Sequence, residues 1–242
     1  MVGRFLIGSN EKPVEGNIYS DKSAVVLDWL LREGIKGQEL SVRNVAKEAG
    51  ISLGQVQRVF EVLVLKGILQ TEGIRTAKRF FLKEPKRLLE SWLEHYSIVK
   101  KCKMRTYRSG YQDKDALLDV LGKLNLNRKV VLALHSAATA LGCKNTSLDT
   151  LEFYLLDPLI RTQLEKKLLL QPQEKGYEVL LIEPYYKSLL KNSINQDHPL
   201  NPPVILTFLD LYHFPLRGQE QAEFMAERLP ELKRIYKSGK SS

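Results

Sequence analysis

Two side chains that could read DNA bases, Gln57 and Arg58, lie on one face of a predicted helix that begins after Ser52. The apolar residues of that helix recur at intervals of three and four, so their stripe faces a core and Gln57 and Arg58 point away from it. The stripe consists of Val56, Val59, Phe60 and Leu63. A helix fits the major groove of DNA, where guanidinium and carboxamide groups can each make two hydrogen bonds to a base edge. The chemistry predicted here is therefore non-covalent recognition of nucleic acid.

Side chains that could hold phosphates flank this pair in the sequence. Those predicted to contact the sugar-phosphate backbone are Arg43, Lys47, Ser52 and Gln55. Three more basic residues, Arg75, Lys78 and Arg79, belong to a predicted β-hairpin and are expected to grip the backbone or the minor groove. The alternative for Arg43 and Lys47 is that they only make the surface soluble.

The elements that would position these side chains are predicted from caps and breaks in the sequence. Ser41 and Ser52 can each accept hydrogen bonds from the first free amides of a helix, and Gly50 and Gly67 can each end one. The predicted elements are helices over 24–32, 42–49 and between Ser52 and Gly67, followed by strands over 68–71 and 79–82. This order of three helices and a basic hairpin is that of a winged helix-turn-helix.

The stretch ISLGQVQRVFEVLVLKGIL resembles the recognition-helix segment of MarR-like and GntR-like winged-helix regulators. Those proteins pair an apolar-Ser start with a Val-x-Arg core and a Gly-apolar exit. The resemblance covers about forty residues and implies a DNA-binding domain. Winged helices also serve as protein-interaction modules, and that alternative stays open.

The charge of the chain favours a nucleic-acid partner because of where it lies. The 242 residues carry a formal net charge of +9. The segment 75–108 holds eleven basic and three acidic residues, a balance of 11 − 3 = +8, and it begins inside the predicted hairpin. A charge run is often only a solvated face, but this one lies where a phosphate backbone would pass.

Motifs for catalysis are missing from the sequence. The four histidines (His95, His135, His198 and His213) have no metal-ligand spacing, and no phosphate-binding glycine loop or GxSxG elbow occurs. Ser136 as nucleophile and His135 as base would form a poor catalytic pair, because neighbouring residues on a turn rarely point at one another. Ser136 is expected instead to cap a helix over 137–141. The Gly8-Ser9 pair is not followed by the paired carboxylates of a nucleotidyltransferase. We predict neither an enzyme nor a cofactor.

Cysteine usage and hydropathy indicate a cytoplasmic protein. Cys102 and Cys143 are far apart and suggest neither a zinc site nor a disulfide, so they are expected to be reduced thiols. No apolar run is long enough to span a bilayer, and the first sixteen residues lack the apolar core of a signal peptide.

The chain is long enough for two domains. The predicted divisions are an arm over 1–20, a winged helix-turn-helix domain over 21–83, a connector helix over 84–98, a C-terminal domain over 99–236 and a disordered tail over 237–242. Asp21 or Ser23 is expected to cap the first helix. Val62 and Leu65 lie off the core stripe of their helix, so the connector, the second domain or a dimer partner should cover them.

Strands and helices alternate beyond the connector, which predicts a mixed α+β fold: a winged helix-turn-helix domain followed by an α/β domain that ends in helices. The predicted C-terminal elements are strands over 102–108, 129–134, 151–156 and 177–182, and helices over 113–124, 157–167, 202–212 and 219–236, the last kinked at Pro230.

Two C-terminal stretches resemble the AbiEi family, the antitoxins of type IV toxin-antitoxin systems. LALHSAATALG is similar to a segment near the start of the AbiEi C-terminal domain, and PPVILTFLDLYHFPLRGQEQAEFM is similar to its end. The residues that carry the second match are Leu209, Asp210, Leu211, Arg217, Gly218, Glu220 and Ala222. Within it, we expect Arg217 to pair with Asp210 as a structural clasp.

The AbiEi resemblance implies an autorepressor that binds inverted repeats in double-stranded DNA and whose second domain opposes a nucleotidyltransferase toxin. A homodimer is compatible with this role, and no membrane partner is implied. The family's glycine-rich approach to the Arg-Gly pair is replaced here by Phe214-Pro215-Leu216, which puts the toxin partner in doubt. The alternative is an orphan winged-helix regulator or a protein-interaction module with no toxin partner.

Overall fold

The first part of the chain forms three helices: α1 (Asp21–Arg32), α2 (Val42–Ala49) and α3 (Leu53–Leu65). The computed structural model describes residues 17–73, 78–111, 113–124, 126, 129–193 and 202–237. The predicted caps of α2 and α3 are confirmed, because Ser41 Oγ accepts from the Asn44 amide at 3.1 Å and Ser52 Oγ from the Gln55 amide at 3.4 Å. Gly50 ends α2 with a φ of 64°, where a side chain would be strained.

A two-stranded hairpin follows α3. Strand β1 (Leu69–Glu72) pairs antiparallel with β2 (Arg79–Leu82), and Phe80 also exchanges backbone hydrogen bonds with Leu40 at 2.8 and 3.0 Å. The Phe80 ring packs edge-on against Phe60 of α3 at 4.8 Å between centroids. The hairpin is therefore attached to both the strand-like segment before α2 and the inner face of α3. Its tip, residues 74–77, lies outside the described residues.

The connector is α4 (Pro85–His95), followed by the short helix α5 (Ile98–Lys101). The apolar face of α4 is broad, and its residues Leu88, Leu89, Trp92 and Leu93 are buried together with Tyr96 directly after the helix. Val62 packs against the core at partial burial, whereas Leu65 is 70 % exposed. None of the described residues covers Leu65, and its cover by a dimer partner stays a prediction.

The C-terminal part is built on a five-stranded sheet with the order β4-β5-β7-β3-β6. Its strands are β3 (Lys103–Arg108), β4 (Val130–Leu132), β5 (Leu151–Leu155), β6 (Gln171–Pro172) and β7 (Val179–Glu183). Strands β5 and β7 are parallel, and the other neighbours are antiparallel. The predicted mixed α/β class is therefore confirmed.

The described C-terminal part also contains seven helices: α6 (Lys114–Lys123), α7 (Leu134–Ala140), α8 (Arg161–Lys167), α9 (Lys187–Ser193), α10 (Val204–Tyr212), α11 (Gly218–Arg228) and α12 (Pro230–Lys237). Alternate residues of β7 face opposite cores. Val179 and Leu181 join a smaller core with α6 and α8, whereas Leu180 and Ile182 join the larger core with α7 and α10–α12.

The larger core is continuous from α1 to α12. It contains Leu27 of α1, Phe60 of α3, Trp92 of α4 and Leu209 of α10. Burial of apolar surface thus links the helices and hairpin of residues 21–82 directly to the C-terminal helices. The domain boundaries proposed from the sequence stay predictions.

Three local predictions are wrong. Residues 17–20 are not a loose arm, because Ile18 and Tyr19 are only 3 % and 6 % exposed. The N-cap of α1 is Ser20, without a side-chain cap bond, and neither Asp21 nor Ser23 caps it. Helix α7 begins at Leu134, so Ser136 lies inside it rather than capping it. In each case the residues concerned form hydrogen bonds with a part of the chain that is distant in sequence. Residues 1–16 and 238–242 lie outside the described residues.

Candidate nucleic-acid interface

The outer face of α3 is the centre of the candidate interface. Val56, Val59, Phe60 and Leu63 are completely buried, whereas Gln57 and Arg58 are exposed. The Gln57 side chain donates to Glu61 Oε1 at 3.0 Å along the helix surface. Within the described chain, Arg58 forms no ion pair, so its guanidinium is available to an external acceptor.

Exposed cations on the neighbouring elements accompany Arg58. Arg43 and Lys47 are exposed one turn apart on α2. Lys78 is exposed, with Nζ 5.4 Å from the centre of the Phe80 ring. Arg79 is 59 % exposed and pairs with Glu39 at 2.9 Å, an ion pair too solvated to hold the side chain firmly. Arg75 lies outside the described residues.

The two polar residues at the start of α3 are used within the protein. Ser52 caps the helix, as described above. The Gln55 amide nitrogen donates to Ser23 Oγ in α1 at 2.6 Å. Gln55 was predicted to hold a phosphate, but in this structure its amide group fastens α3 to α1.

The basic run reaches the surface along its described length. Lys83, Arg87, Lys100, Lys101, Lys103, Arg105 and Arg108 are all exposed. Lys86 pairs with Glu90 at 3.6 Å, and Arg108 lies 3.8 Å from Glu178. Most of this charge is therefore free of close carboxylates in the described chain, as a polyanion-binding surface requires.

Asp210 does not pair with Arg217, which corrects the predicted clasp. Asp210 is completely buried in α10, where its carboxylate accepts from the Tyr96 hydroxyl at 2.7 Å and from the Tyr154 hydroxyl. Burial raises the pKa of Asp210 to about 7, although the two phenol hydrogen bonds lower it. Arg217 lies beyond the turn and pairs with Glu220 at the surface, with Nε donating to Oε2 at 2.7 Å.

The rest of the family motif is structural. Leu209, Leu211 and Ala222 are completely buried between α10 and α11. A Cβ on Gly218 would lie 2.3 Å from the Leu211 carbonyl oxygen, so only glycine lets α11 begin this close to the end of α10. Leu209, Leu211, Gly218 and Ala222 therefore define the close packing of the two helices, whereas Arg217 and Glu220 of the same motif lie at the surface.

An aromatic joint connects α4 to the C-terminal part, and sequence reasoning missed it. Trp92 Nε1 donates to the Tyr186 hydroxyl at 2.8 Å, which in turn donates to the Tyr19 carbonyl at 3.0 Å. The rings of Tyr96 and Tyr186 are 4.6 Å apart. The only sequence signal for this joint is the density of tyrosines, since its members are distant in the chain.

A buried carboxylate, Glu152, was also missed. It is completely buried in β5 and accepts from the Ser136 amide at 2.9 Å, the Ser136 hydroxyl at 2.6 Å, the Thr150 hydroxyl at 2.5 Å and the Tyr177 hydroxyl at 3.2 Å. These bonds satisfy both carboxylate oxygens, which explains why Ser136 points at β5 instead of capping a helix. The adjacent His135 is 5 % exposed, and burial lowers its pKa.

Glu152→Gln is expected to lower the free energy of unfolding by about 1 to 2 kcal/mol, because the charge is lost while the hydroxyl partners can reorient. Urea unfolding measures this change, and Glu174→Gln at an exposed position serves as control. An equal effect of the two substitutions would contradict a structural role for the buried carboxylate.

No group of histidine, cysteine or acidic side chains in the described residues could hold a metal ion. None of the described helices is long and apolar enough to cross a membrane.

The described chain combines a mixed α/β body with helices and a hairpin that carry exposed cations. The family profile described as "Transcriptional regulator, AbiEi antitoxin, Type IV TA system" matches residues 81–230, more than half of the chain. The chain belongs to this AbiEi antitoxin family. The match begins within β2, so α1–α3 lie outside it. No curated protein and no solved structure matches the chain.

Proposed function

We propose that this protein is an autorepressor of the cytoplasm that binds operator DNA through α2, α3 and the hairpin, used as a winged helix-turn-helix. In this proposal Gln57 and Arg58 read base edges in the major groove. Arg43 and Lys47 hold phosphates, and Ser52 donates its hydroxyl hydrogen to a phosphate while its oxygen keeps the cap of α3. Arg75, Lys78 and Arg79 contact the backbone or the minor groove. The observation that carries the proposal is the exposed Arg58, free of ion pairs in the described chain and flanked by cations of α2 and β2.

Arg58→Ala is expected to weaken binding to a selected operator by about 1 to 3 kcal/mol and to relax the preference at one base position, because a two-point contact to a base edge is lost. Lys78→Ala should weaken selected and random duplexes alike and reduce the salt slope by about one, because one phosphate contact is lost. Gel-shift titration over a salt series measures both effects.

Lys123→Ala is the matched control, since it removes an exposed cation from α6, which packs on the smaller core. Equal losses on selected and random duplexes for Arg58→Ala would defeat the assignment of this residue to base reading. Binding without steep salt dependence would defeat the DNA interface as a whole.

The family also supports a toxin-opposing role for the C-terminal part, and we propose a nucleotidyltransferase as the enzyme opposed. The opposition can be functional, with no direct contact between the proteins. Co-expression of the intact chain with the product of the neighbouring gene, scored by growth, tests this role. Growth arrest that the intact chain fails to relieve would contradict it.

Two exposed leucines favour a second candidate, in which α3 contacts protein. Leu53 and Leu65 are 52 % and 70 % exposed at its two ends. A second copy of the chain on an inverted repeat could cover Leu65. In that case Leu65→Ser should abolish cooperative binding to paired DNA sites and leave the affinity for a single site unchanged. A module that binds only other proteins would instead show no DNA affinity at all.

A further inference from the structure

The first turn of α1 lies between the C-terminal part of the protein and the start of α3. On one side, Asp21 Oδ1 accepts from the Ser188 amide at 2.8 Å, and Asp21 Oδ2 accepts from the Ser188 hydroxyl at 2.7 Å. Ser188 is in the first turn of α9. A carboxylate of α1 therefore satisfies a free amide of a helix that is 167 residues away in sequence.

On the other side, Ser23 holds the start of α3. Ser23 is 1 % exposed, and its hydroxyl accepts from Gln55 Nε2 at 2.6 Å and lies 3.0 Å from the Ser20 hydroxyl. Gln55 is in the first turn of α3, and Arg58 follows one turn later. Because the hydrogen bond is short and partly buried, it restricts how α3 can rotate or shift against α1.

We infer that Asp21, Ser23, Gln55 and Ser188, here called the α1 bridge, position the outer face of α3 through the C-terminal part of the chain. Displacement of α9 changes the two bonds to Asp21, moves the first turn of α1 and thereby changes how α3 presents Gln57 and Arg58. Gln55 is then a positioning residue and not a phosphate ligand. The DNA consequence rests on the proposed function, whereas the mechanical coupling does not.

Ser23→Ala separates positioning from direct contact. Ser23 is too deeply buried to touch DNA, and its removal frees the Gln55 amide. If Gln55 positions α3, operator affinity should fall about five- to tenfold with an unchanged salt slope, the size expected from loss of one hydrogen bond. If Gln55 holds a phosphate, Ser23→Ala should bind as tightly as the wild type or more tightly, and the inference is overturned.

Coupling is tested on the free protein by amide hydrogen exchange. Asp21→Ala should accelerate exchange in the first turn of α3 as well as in α9, because both are fastened to the start of α1. Asp21→Asn keeps one acceptor oxygen and should give an intermediate rate, and it remains usable if the alanine variant fails to fold. Unchanged exchange in α3 for both variants overturns the coupling.

Asp113→Ala is the matched control, because Asp113 caps α6 by accepting from the Ala116 amide at 2.8 Å and α6 packs on the other core. Asp113→Ala should accelerate amide exchange in α6 and leave exchange in α3 unchanged. If it also accelerates exchange in α3, the effect of Asp21→Ala reflects a general loosening of the protein, and the inference is overturned. A wild-type protein without specific DNA affinity would refute the proposed function alone, since the exchange experiment would still decide the coupling.

Discussion

Raising the pH from 5 to 8 is expected to destabilise the wild-type protein by about 2 to 3 kcal/mol more than an Asp210→Asn variant. The pKa of Asp210 is raised from 3.8 to about 7 in the folded protein, chiefly by burial. Its contribution to stability is therefore fully present below the unfolded pKa and is lost as the pH rises through the folded pKa. Urea unfolding at a series of pH values measures the difference.

Comparing the two proteins isolates Asp210 from other titrating groups. His135 acts in the opposite direction, since burial lowers its pKa and its contribution is lost as the pH falls below its ordinary value of 6.5. Tyr96→Phe supplies a second test, because removing one phenol donor should raise the pKa of Asp210 further and move the transition to higher pH. Parallel pH profiles for wild type and Asp210→Asn would show that Asp210 does not titrate in this range.

Gly218→Ala is expected to lower the free energy of unfolding by roughly 3 kcal/mol. The added Cβ would meet the Leu211 carbonyl oxygen at 2.3 Å and Phe214 Cβ at 2.9 Å, so α10 and α11 must separate. Their separation would open the larger core around Leu211 and Ala222, both fully buried. A shift in the urea midpoint measures the effect.

Gly122→Ala is the matched control. Gly122 lies in α6, and a Cβ there would meet nothing within 4 Å. Alanine should stabilise that helix by about 0.5 to 1 kcal/mol through its better helix propensity. Equal and small effects at both positions would show that the approach of α11 to α10 is not tight.

Elements with strong local signals were predicted well. The caps at Ser41 and Ser52, the Gly50 break and the apolar stripe of α3 gave α2 and α3 nearly residue by residue. The same holds for α6, which Asp113 caps, and for the division of the last helices at Pro230. In each case the signal and the element it defines lie within a few residues, so the backbone chemistry is local.

The errors concern side chains whose partners are distant in sequence. Asp210 was assigned to the nearby Arg217, but its partner Tyr96 is 114 residues away. Gln55 was predicted to hold a phosphate, and the hydrogen-bond partner of its side chain in the free protein is Ser23, 32 residues away. The short elements β6 and α9 were also missed, because β6 is defined by pairing with β3 and α9 by packing that buries Leu189 and Leu190.

The sequence by itself determined the alternation of helices and strands, the outward position of Gln57 and Arg58, and the resemblance to AbiEi antitoxins. These follow from periodicity, caps and motifs, which are properties of contiguous residues. Only the tertiary structure decided that Asp210 is buried against two phenols and that α1 is fastened to both α3 and α9. Burial and hydrogen-bond partners depend on which distant segments meet, because the larger core combines residues of helices from α1 to α12.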